Sequence, residues 1–192
     1  MKKILLLASA ITISLSTYAQ NWKLDPSHSK INFTAKYLVI SDVDGEFKKF
    51  DGTFTSTKGD FSDLQLSVSA DVNSISTEND MRDKHLMSDD FFNADKFPKI
   101  TFVSKGIKSL GNNKFMLSGT LTVRDVTKNV EIPLVYGGTV TDPWGNVKAG
   151  FKASGTINRK DYGLKYANAA ATGEAVVGDN VEFIINAILI KQ

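Results

Sequence analysis

Cysteine is absent from this 192-residue chain, and histidine occurs only twice, at His28 and His85. Without cysteine there is no disulfide framework, no thiolate nucleophile, no cysteine-bound zinc or iron–sulfur cluster and no lipid-modified N-terminal cysteine. Neither histidine belongs to a His-Glu-x-x-His motif, a His-x-His pair or a carboxylate cluster of metal-ligand spacing. We therefore expect no metal site.

Sequence motifs of catalysis are also missing. The chain contains no Gly-x-Ser-x-Gly nucleophile elbow and no glycine-rich phosphate loop, and Gly137-Gly138 is typical of a turn. The adjacent acids Asp89 and Asp90 precede Phe91, a position where acids more often favour the start of a helix. With no catalytic constellation, the sequence predicts a protein that is not an enzyme and that carries no cofactor.

The N-terminus has the pattern of a secretory signal peptide. Lys2 and Lys3 precede residues 4–15, which are apolar apart from serine and threonine, and small residues follow at Thr17 and Ala19. This order predicts cleavage near Ala19 and a periplasmic or secreted mature protein. The alternative is a membrane anchor, but the apolar run falls short of the roughly 20 residues that span a bilayer.

The mature chain, residues 20–192, reads as one neutral domain. Loss of Lys2 and Lys3 reduces the 23 basic residues to 21, which equals the 21 acidic residues. A neutral domain with interspersed charges offers no electrostatic surface for nucleic acid. No remaining run is long and apolar enough to form a transmembrane segment.

Alternation of apolar and polar residues with a period of two dominates this domain and predicts strands. Eight segments show it: residues 31–39, 47–55, 64–72, 100–105, 115–123, 130–136, 149–157 and 181–190. The parity of the apolar residues switches between Phe47 and Phe50, which predicts a bulge near Lys48-Lys49. The last segment is apolar on nearly both faces, so we expect it to be covered on both sides.

Turn-forming residues separate these segments, which favours an all-β antiparallel fold. Eight strands in an open sheet would leave two unpaired edges, and closure into a single eight-stranded barrel removes them. A two-sheet sandwich has the same local pattern and remains open at this point. Residues 77–97 interrupt the strands and predict a short helical segment, with Thr77 as a cap and with Met81, His85 and Leu86 on one face. This segment is a candidate lid over one end of the barrel.

Phenylalanine is abundant, with 12 residues, all of them after the leader. Some of these rings must form the core of the barrel. An eight-stranded barrel can also hold one small ligand, and rigid aromatic rings suit the walls of such a cavity. Periodicity does not distinguish a filled interior from a hollow one.

Several runs in order resemble the YceI-like family of polyisoprenoid-binding proteins. They are residues 22–33, 43–47, 50–52, 74–75, 79–86, 88–92, 97–102, 119–128, 142–145 and 150–164. The resemblance implies a lipocalin-like barrel whose interior binds a long isoprenoid of the polyprenyl diphosphate or quinone type, with no catalytic residues. Many members are periplasmic. One departure is Lys36-Tyr37, where the family often has Lys-His, so a headgroup contact there would involve a phenol.

On this reading the ligand-binding residues fall into two groups. The expected walls are Phe33, Tyr37, Phe47, Phe54, Leu66, Phe91, Phe102, Leu121, Phe151 and Tyr162. The expected headgroup donors are Arg82, His85, Arg159 and Lys160, with His28 a weaker candidate. For each donor the alternative is a structural or solvated role, and for each wall residue it is ordinary core.

Three functions are compatible with the sequence. The first is a binder or carrier of an isoprenoid or other long-chain lipid, acting as a monomer or homodimer. The second is an envelope enzyme that uses His85 with Asp83 or Asp89. The third is a stress-response or interaction protein whose barrel is filled by its own side chains.

Overall fold

The computed structural model describes residues 19–171, 173 and 175–192, so the predicted leader lies outside the described residues apart from Ala19. The chain forms strands with one short helix. The strands are β1 (Gln20–Leu24), β2 (Lys30–Tyr37), β3 (Ser41–Phe47), β4 (Phe50–Ser56), β5 (Gln65–Asp71), β6 (Ile75–Ser76), β7 (Lys99–Gly111), β8 (Lys114–Val123), β9 (Val126–Thr141), β10 (Val147–Asn158) and β11 (Val177–Lys191). The helix is α1 (Asp80–Met87), and Val72–Ser74 and Arg159–Tyr162 form 3₁₀ turns.

These eleven segments build a closed antiparallel barrel of eight strands. Three of the eight strands are each divided into two segments: β1 with β2, β3 with β4, and β5 with β6. The order is β1-β4-β5-β7-β8-β9-β10-β11, and β11 closes the ring by pairing with β1. The first half of β11 pairs instead with β2, which continues β1, and β3 continues into β4 in the same way. Closure confirms the predicted barrel and excludes the sandwich.

The predicted bulge at Lys48-Lys49 is the point where β3 ends and β4 begins. The Lys48 amide donates to the Ser74 carbonyl at 3.1 Å, and the Lys49 amide donates to Ser74 Oγ at 2.9 Å. The neighbouring strand bends at the same level, because the 3₁₀ turn that contains Ser74 separates β5 from β6. Hydrogen bonds therefore join the bend between β3 and β4 to the bend between β5 and β6.

Sequence periodicity did not predict β1, β3 or the two-residue strand β6, and one prediction about a strand was wrong. Strands β1 and β3 are rich in Asp, Asn, Gln, Glu and Gly, which have low β propensity. Strand β11 was expected to be covered on both sides, but its burial alternates and Ile184 is 43% exposed. The outward-facing Ile184 is exposed because none of the described elements packs on the outside of that part of the barrel.

The predicted helical segment exists, but its cap differs from the prediction, and one of the residues expected on a shared face lies on another side. Asn79 is the N-cap, and its side chain accepts a hydrogen bond from the Arg82 amide at 3.0 Å. Thr77 lies just before it and donates its hydroxyl to Asp83. Met81 is 83% exposed and His85 also lies at the surface, so these two share a side of the helix that faces solvent. Leu86, which was expected on the same face, packs inward.

Candidate functional site

A cavity of about 270 Å³ runs through the barrel interior. Its walls are the inward-facing side chains of the strands, and apolar atoms make up almost the whole of its lining. Volumes of this order, with predominantly apolar walls, are typical of small-molecule sites. The barrel is therefore hollow and not filled by its own side chains, which removes the structural basis of the filled-core hypothesis.

Burial along the strands shows where the hollow lies. Phe54 and Phe151, near the end of the barrel where β11 finishes, are buried, as in an ordinary core. Phe33, Phe102 and Leu121 also point inward, yet they are only half-buried, because the space in front of them is empty. Ordinary core packing leaves few voids larger than a water molecule, so this gradient marks a cavity.

An aromatic plug closes the end of the barrel where β11 finishes, and it consists of Trp22, Phe61 and Tyr136. The ring of Phe61 is 5.0 Å from that of Trp22 and 5.1 Å from that of Tyr136, centroid to centroid. A third neighbour, Phe151, meets Phe61 edge-on at 5.0 Å and turns its other side to the cavity. The plug closes this end with apolar surface.

Asp63 fixes the loop that carries the plug residue Phe61. Its carboxylate accepts hydrogen bonds from the hydroxyls of Ser56 and Thr57 and from the amides of Thr57 and Lys58. Partial burial alone would raise the pKa of Asp63, but these donors outweigh it and lower the pKa to about 2. The negative charge of Asp63 thus stabilises the loop, in which Phe61 itself adopts a left-handed φ of 58°.

The segment around α1 covers the opposite end of the barrel. Phe91 is buried against Val123, Tyr162 and Leu164, and Leu86 packs at the edge of the same cluster. Leu86 and Phe91 line the cavity, which places the segment directly over it. The position matches the predicted lid.

Arg124, in the turn between β8 and β9, ties this segment to the barrel. Its Nη1 donates to the carbonyls of Phe91 at 2.7 Å, Gly163 at 3.1 Å and Asp89 at 3.3 Å. The guanidinium also lies 5.7 Å from the centroid of the Phe97 ring. One side chain thus joins the lid, the β8–β9 turn and the residue after the second 3₁₀ turn. Sequence reasoning missed it, since a lone arginine in a turn gives no signal of this role.

Arg159 is the one cationic side chain in the cavity wall among the described residues, and it is only 4% exposed. It donates to the carbonyls of Gly178, Leu164 and Val177 at 2.8–3.1 Å and pairs with Asp179 at 3.3 Å. Burial lowers the pKa of Arg159, and the Asp179 charge opposes that shift. A guanidinium carries five N–H groups, and the described residues accept hydrogen bonds from four of them, which leaves one Nη1 hydrogen for another acceptor.

Ten of the fourteen predicted site residues lie in the cavity wall. They are Phe33, Phe47, Phe54, Leu66, Phe91, Phe102, Leu121, Phe151, Arg159 and Tyr162. Burial raises the pKa of Tyr162, and the nearby Asp161 charge acts in the same direction. Contact of any of these residues with a ligand remains a prediction.

The other four predicted residues, Tyr37, Arg82, His85 and Lys160, do not line the cavity. Tyr37 is exposed where β2 ends, and Lys160 pairs with Asp179 at 2.9 Å on the surface. Arg82 donates to the carbonyl and hydroxyl oxygens of Thr77, which braces the lid. Arg82 and His85 lie on α1 and Lys160 lies in a 3₁₀ turn, which strand periodicity could not orient. Tyr37 shares the parity of Phe33 and Ala35, but it lies at the end of β2, beyond the cavity wall.

His85 has the surroundings of a surface residue. Its side chain is 43% exposed, and Nε2 lies 3.0 Å from Asp90 Oδ2, a carboxylate that is itself more than half exposed. The ring packs edge-on against Phe91 and Tyr166. Neither acid proposed as its partner pairs with it: Asp83 bonds to Thr77, and the carboxylate beside His85 is that of Asp90 and not that of Asp89. The geometry gives the enzyme hypothesis no shielded histidine–carboxylate pair.

The weaker candidate His28 lies outside the cavity in a polar network. Its Nδ1 is 2.9 Å from Asp25 Oδ2, which also pairs with Lys148 at 3.2 Å. Burial would raise the pKa of Asp25, but hydrogen bonds from His28 and Lys148 outweigh it and lower the pKa. This is the structural role that the sequence favoured for His28.

Several wall residues were missed by sequence reasoning, notably Phe50, Phe92 and Phe183. Phe183 lies in the segment that is apolar on both faces, where parity does not show which side is inward. Within the described part of the chain, no group of three or more His, Asp or Glu side chains could hold a metal ion. The same residues include no helix of sufficient length and hydropathy to span a membrane.

Comparisons with known proteins agree with this fold. The sequence profile of the YceI-like domain matches residues 22–189. Protein YceI of Salmonella newport strain SL254 is 38% identical over 197 residues, covering 100% of both chains.

Solved structures give the same architecture. Burkholderia cenocepacia BcnA has a TM-score of 0.74 at 22% identity, covering 86% of this chain and 98% of that one. A Saccharophagus degradans domain, described as a polyisoprenoid binding domain implicated in plant cell wall breakdown, has a TM-score of 0.66 at 17% identity, covering 89% and 98%. At these identities the two structures show the fold alone. The family profile and the full-length Salmonella relative show that the chain belongs to the YceI-like domain family.

Proposed function

We propose that the protein binds a long-chain isoprenoid lipid, of the polyprenyl diphosphate or quinone type, inside its barrel. The observation that carries this proposal is the apolar cavity of about 270 Å³ beneath the lid. The description of the Saccharophagus degradans domain as polyisoprenoid binding supports it, because that domain has the same fold. The chain would act as a binder or carrier, as a monomer or homodimer.

The energetics of a hydrocarbon tail suit such a wall. Each buried methylene contributes about 0.8 kcal/mol. Micromolar affinity needs about 8 kcal/mol, and association itself costs about 4 kcal/mol or more. Roughly fifteen buried carbon atoms, or three isoprene units, therefore suffice at the low end of that cost. This binding is non-directional, which fits a site without catalytic residues.

Arg159 is our candidate for the polar end of the ligand. Acceptors in the described part of the chain hold four of its five N–H groups, so its position is fixed, and one N–H group is left over for a ligand. Phosphate and quinone oxygens both accept hydrogen bonds, so both headgroups fit this single donor. Lys160 lies next to it in sequence and shares Asp179, and it could add charge for a diphosphate.

We further propose that the protein acts in the periplasm or outside the cell, after cleavage near Ala19. The leader pattern of residues 1–19 supports this location. N-terminal sequencing of the protein from a cell-envelope fraction should begin at Gln20. A start at Met1 in a cytosolic fraction would refute the proposed location.

Native mass spectrometry of the protein purified from its host tests the binding function. We expect a co-purified adduct with the mass of an isoprenoid lipid, lost on organic extraction and restored by a long-tailed ubiquinone or a polyprenyl diphosphate. The free headgroups, without tails, serve as controls and should not bind. Extracted protein that takes up neither lipid would refute the proposal.

A further inference from the structure

Four inward-facing residues form one row across four neighbouring strands. Gly45 on β3 is directly opposite Phe33 on β2, Phe33 is opposite Phe183 on β11, and Phe183 is opposite Gly155 on β10. Directly opposite residues in antiparallel strands point to the same side of the sheet. The row Gly45–Phe33–Phe183–Gly155 therefore lies on one level of the cavity wall.

Each phenylalanine ring in the row lies over the glycine beside it. A Cβ atom built on Gly45 would be 2.2 Å from Cζ of Phe33, and one built on Gly155 would be 2.7 Å from Cζ of Phe183. Carbon atoms normally approach to about 3.5–4.0 Å. The rings thus occupy the space of the missing side chains, and they lie along the wall, directed away from each other.

The arrangement explains how a wall with so many aromatic rings encloses a cavity. Both Phe33 and Phe183 line the cavity and are half-buried. With a side chain at Gly45 or Gly155, the tip of the facing ring would have to move by about 1 Å to restore ordinary contact. The wall blocks movement outward, so the ring would move into the cavity.

We infer that Gly45 and Gly155 are specificity-determining residues that set the width of the cavity at this level. This inference rests on the proposed function. An isoprenoid tail carries regularly spaced methyl branches and is wider than a straight alkyl chain. A row that keeps two rings flat against the wall gives room for those branches, so these glycines favour a branched tail over a straight one.

Gly45→Ala and Gly155→Ala are the variants that test this inference. In both positions the three atoms nearest to the new Cβ belong to the facing phenylalanine ring, at 2.2–2.8 Å for Gly45 and 2.7–3.7 Å for Gly155, so the ring is the group that must move. Gly52 and Gly119 are unsuitable because backbone oxygens lie 2.7 and 2.4 Å from their Cβ positions. Gly150→Ala is the matched control on the strand of Gly155, since its Cβ would meet only Ile188 Cδ1, at an ordinary 3.5 Å.

The probes are a ubiquinone with a long isoprenoid tail and a synthetic quinone whose straight alkyl tail has the same number of carbons. We expect Gly45→Ala and Gly155→Ala to bind the isoprenoid quinone about tenfold or more weakly than the wild type, with a smaller loss for the straight tail. Gly150→Ala should stay within about twofold for both probes. Adding Phe183→Leu to Gly155→Ala should restore binding of the branched tail, because the displaced ring is gone.

The outcomes separate this inference from the proposed function. Wild-type protein that binds neither quinone would refute the binding function, and the inference with it. Wild-type protein that binds both, with unchanged discrimination in the two alanine variants, would overturn the inference alone. If those variants do not fold, Phe33→Leu and Phe183→Leu, which widen the same level, should lower discrimination between the tails, and unchanged discrimination would overturn the inference.

Discussion

Replacing Ala35 by leucine tests whether the cavity accommodates additional apolar atoms, either from a side chain or from a ligand. Ala35 is half-buried in the cavity wall, opposite Val43 on one side and Val181 on the other. Leucine adds three carbon atoms, worth up to about 2.4 kcal/mol if they are fully buried. Incomplete burial and a loss of side-chain entropy of about 0.5–1 kcal/mol leave a net stabilisation of about 1 kcal/mol in the ligand-free protein.

The same substitution should weaken binding. The leucine side chain takes space equal to more than one methylene of the tail, which costs about tenfold or more in affinity. Urea denaturation of delipidated protein measures the free energy of unfolding, and titration with a long-tailed ubiquinone measures the affinity. More stable protein with weaker binding is the combination that only a functional cavity gives.

Ala70→Leu is the matched control in the packed core. Ala70 is buried with Phe47 and Ile75 and does not line the cavity. Three extra carbons there have no space and should destabilise the protein by about 1–3 kcal/mol. If Ala35→Leu destabilises the protein as Ala70→Leu does and leaves the affinity for ubiquinone unchanged, the interior is filled at Ala35 and the reasoning is refuted.

Two further variants test the ends of the barrel. Asp63→Asn should lower the free energy of unfolding by about 1–2 kcal/mol at neutral pH, after allowance for the partial exposure of Asp63. In the wild type this contribution is present above the unfolded-state pKa of about 3.9 and is lost as the pH falls towards the folded-state pKa of about 2, so urea denaturation of the two proteins should converge at acid pH. Arg124→Met should raise amide hydrogen exchange across residues 88–97 by about tenfold or more, since it removes charge-assisted bonds to the lid, while exchange in β10 stays constant. A difference in unfolding free energy between wild type and Asp63→Asn that persists at low pH would contradict the argument for Asp63. Unchanged hydrogen exchange in the lid of Arg124→Met would contradict the argument for Arg124.

Sequence periodicity was sufficient for the strands that carry the cavity wall. Residues 115–123 and 149–157 alternate cleanly, and the structure places their apolar sets inside. The parity switch between Phe47 and Phe50 marked the bulge at the correct residues. Local composition failed for β1 and β3, whose polar residues are held in strands by pairing with β4, β11 and β2.

The polar part of the site was harder to predict than the walls. Among the predicted headgroup donors, Arg159 lies in the cavity wall, whereas Arg82 and Lys160 have the same charge and lie outside it. What separates them is burial, which depends on how the turn after β10 packs against β11. Sequence pattern contains no information on that packing.

The sequence by itself determined the strand alternation, the bend at Lys48-Lys49, the covering segment and, through ordered motifs, the YceI-like family. These are local properties, set by side-chain parity and turn chemistry along the chain. Only the tertiary structure decided that the interior is hollow, because the space inside a barrel depends on how rings from different strands fold against one another. Phe33 and Phe183 leave the centre open since Gly45 and Gly155 stand opposite them, and that relation exists only after the strands have paired.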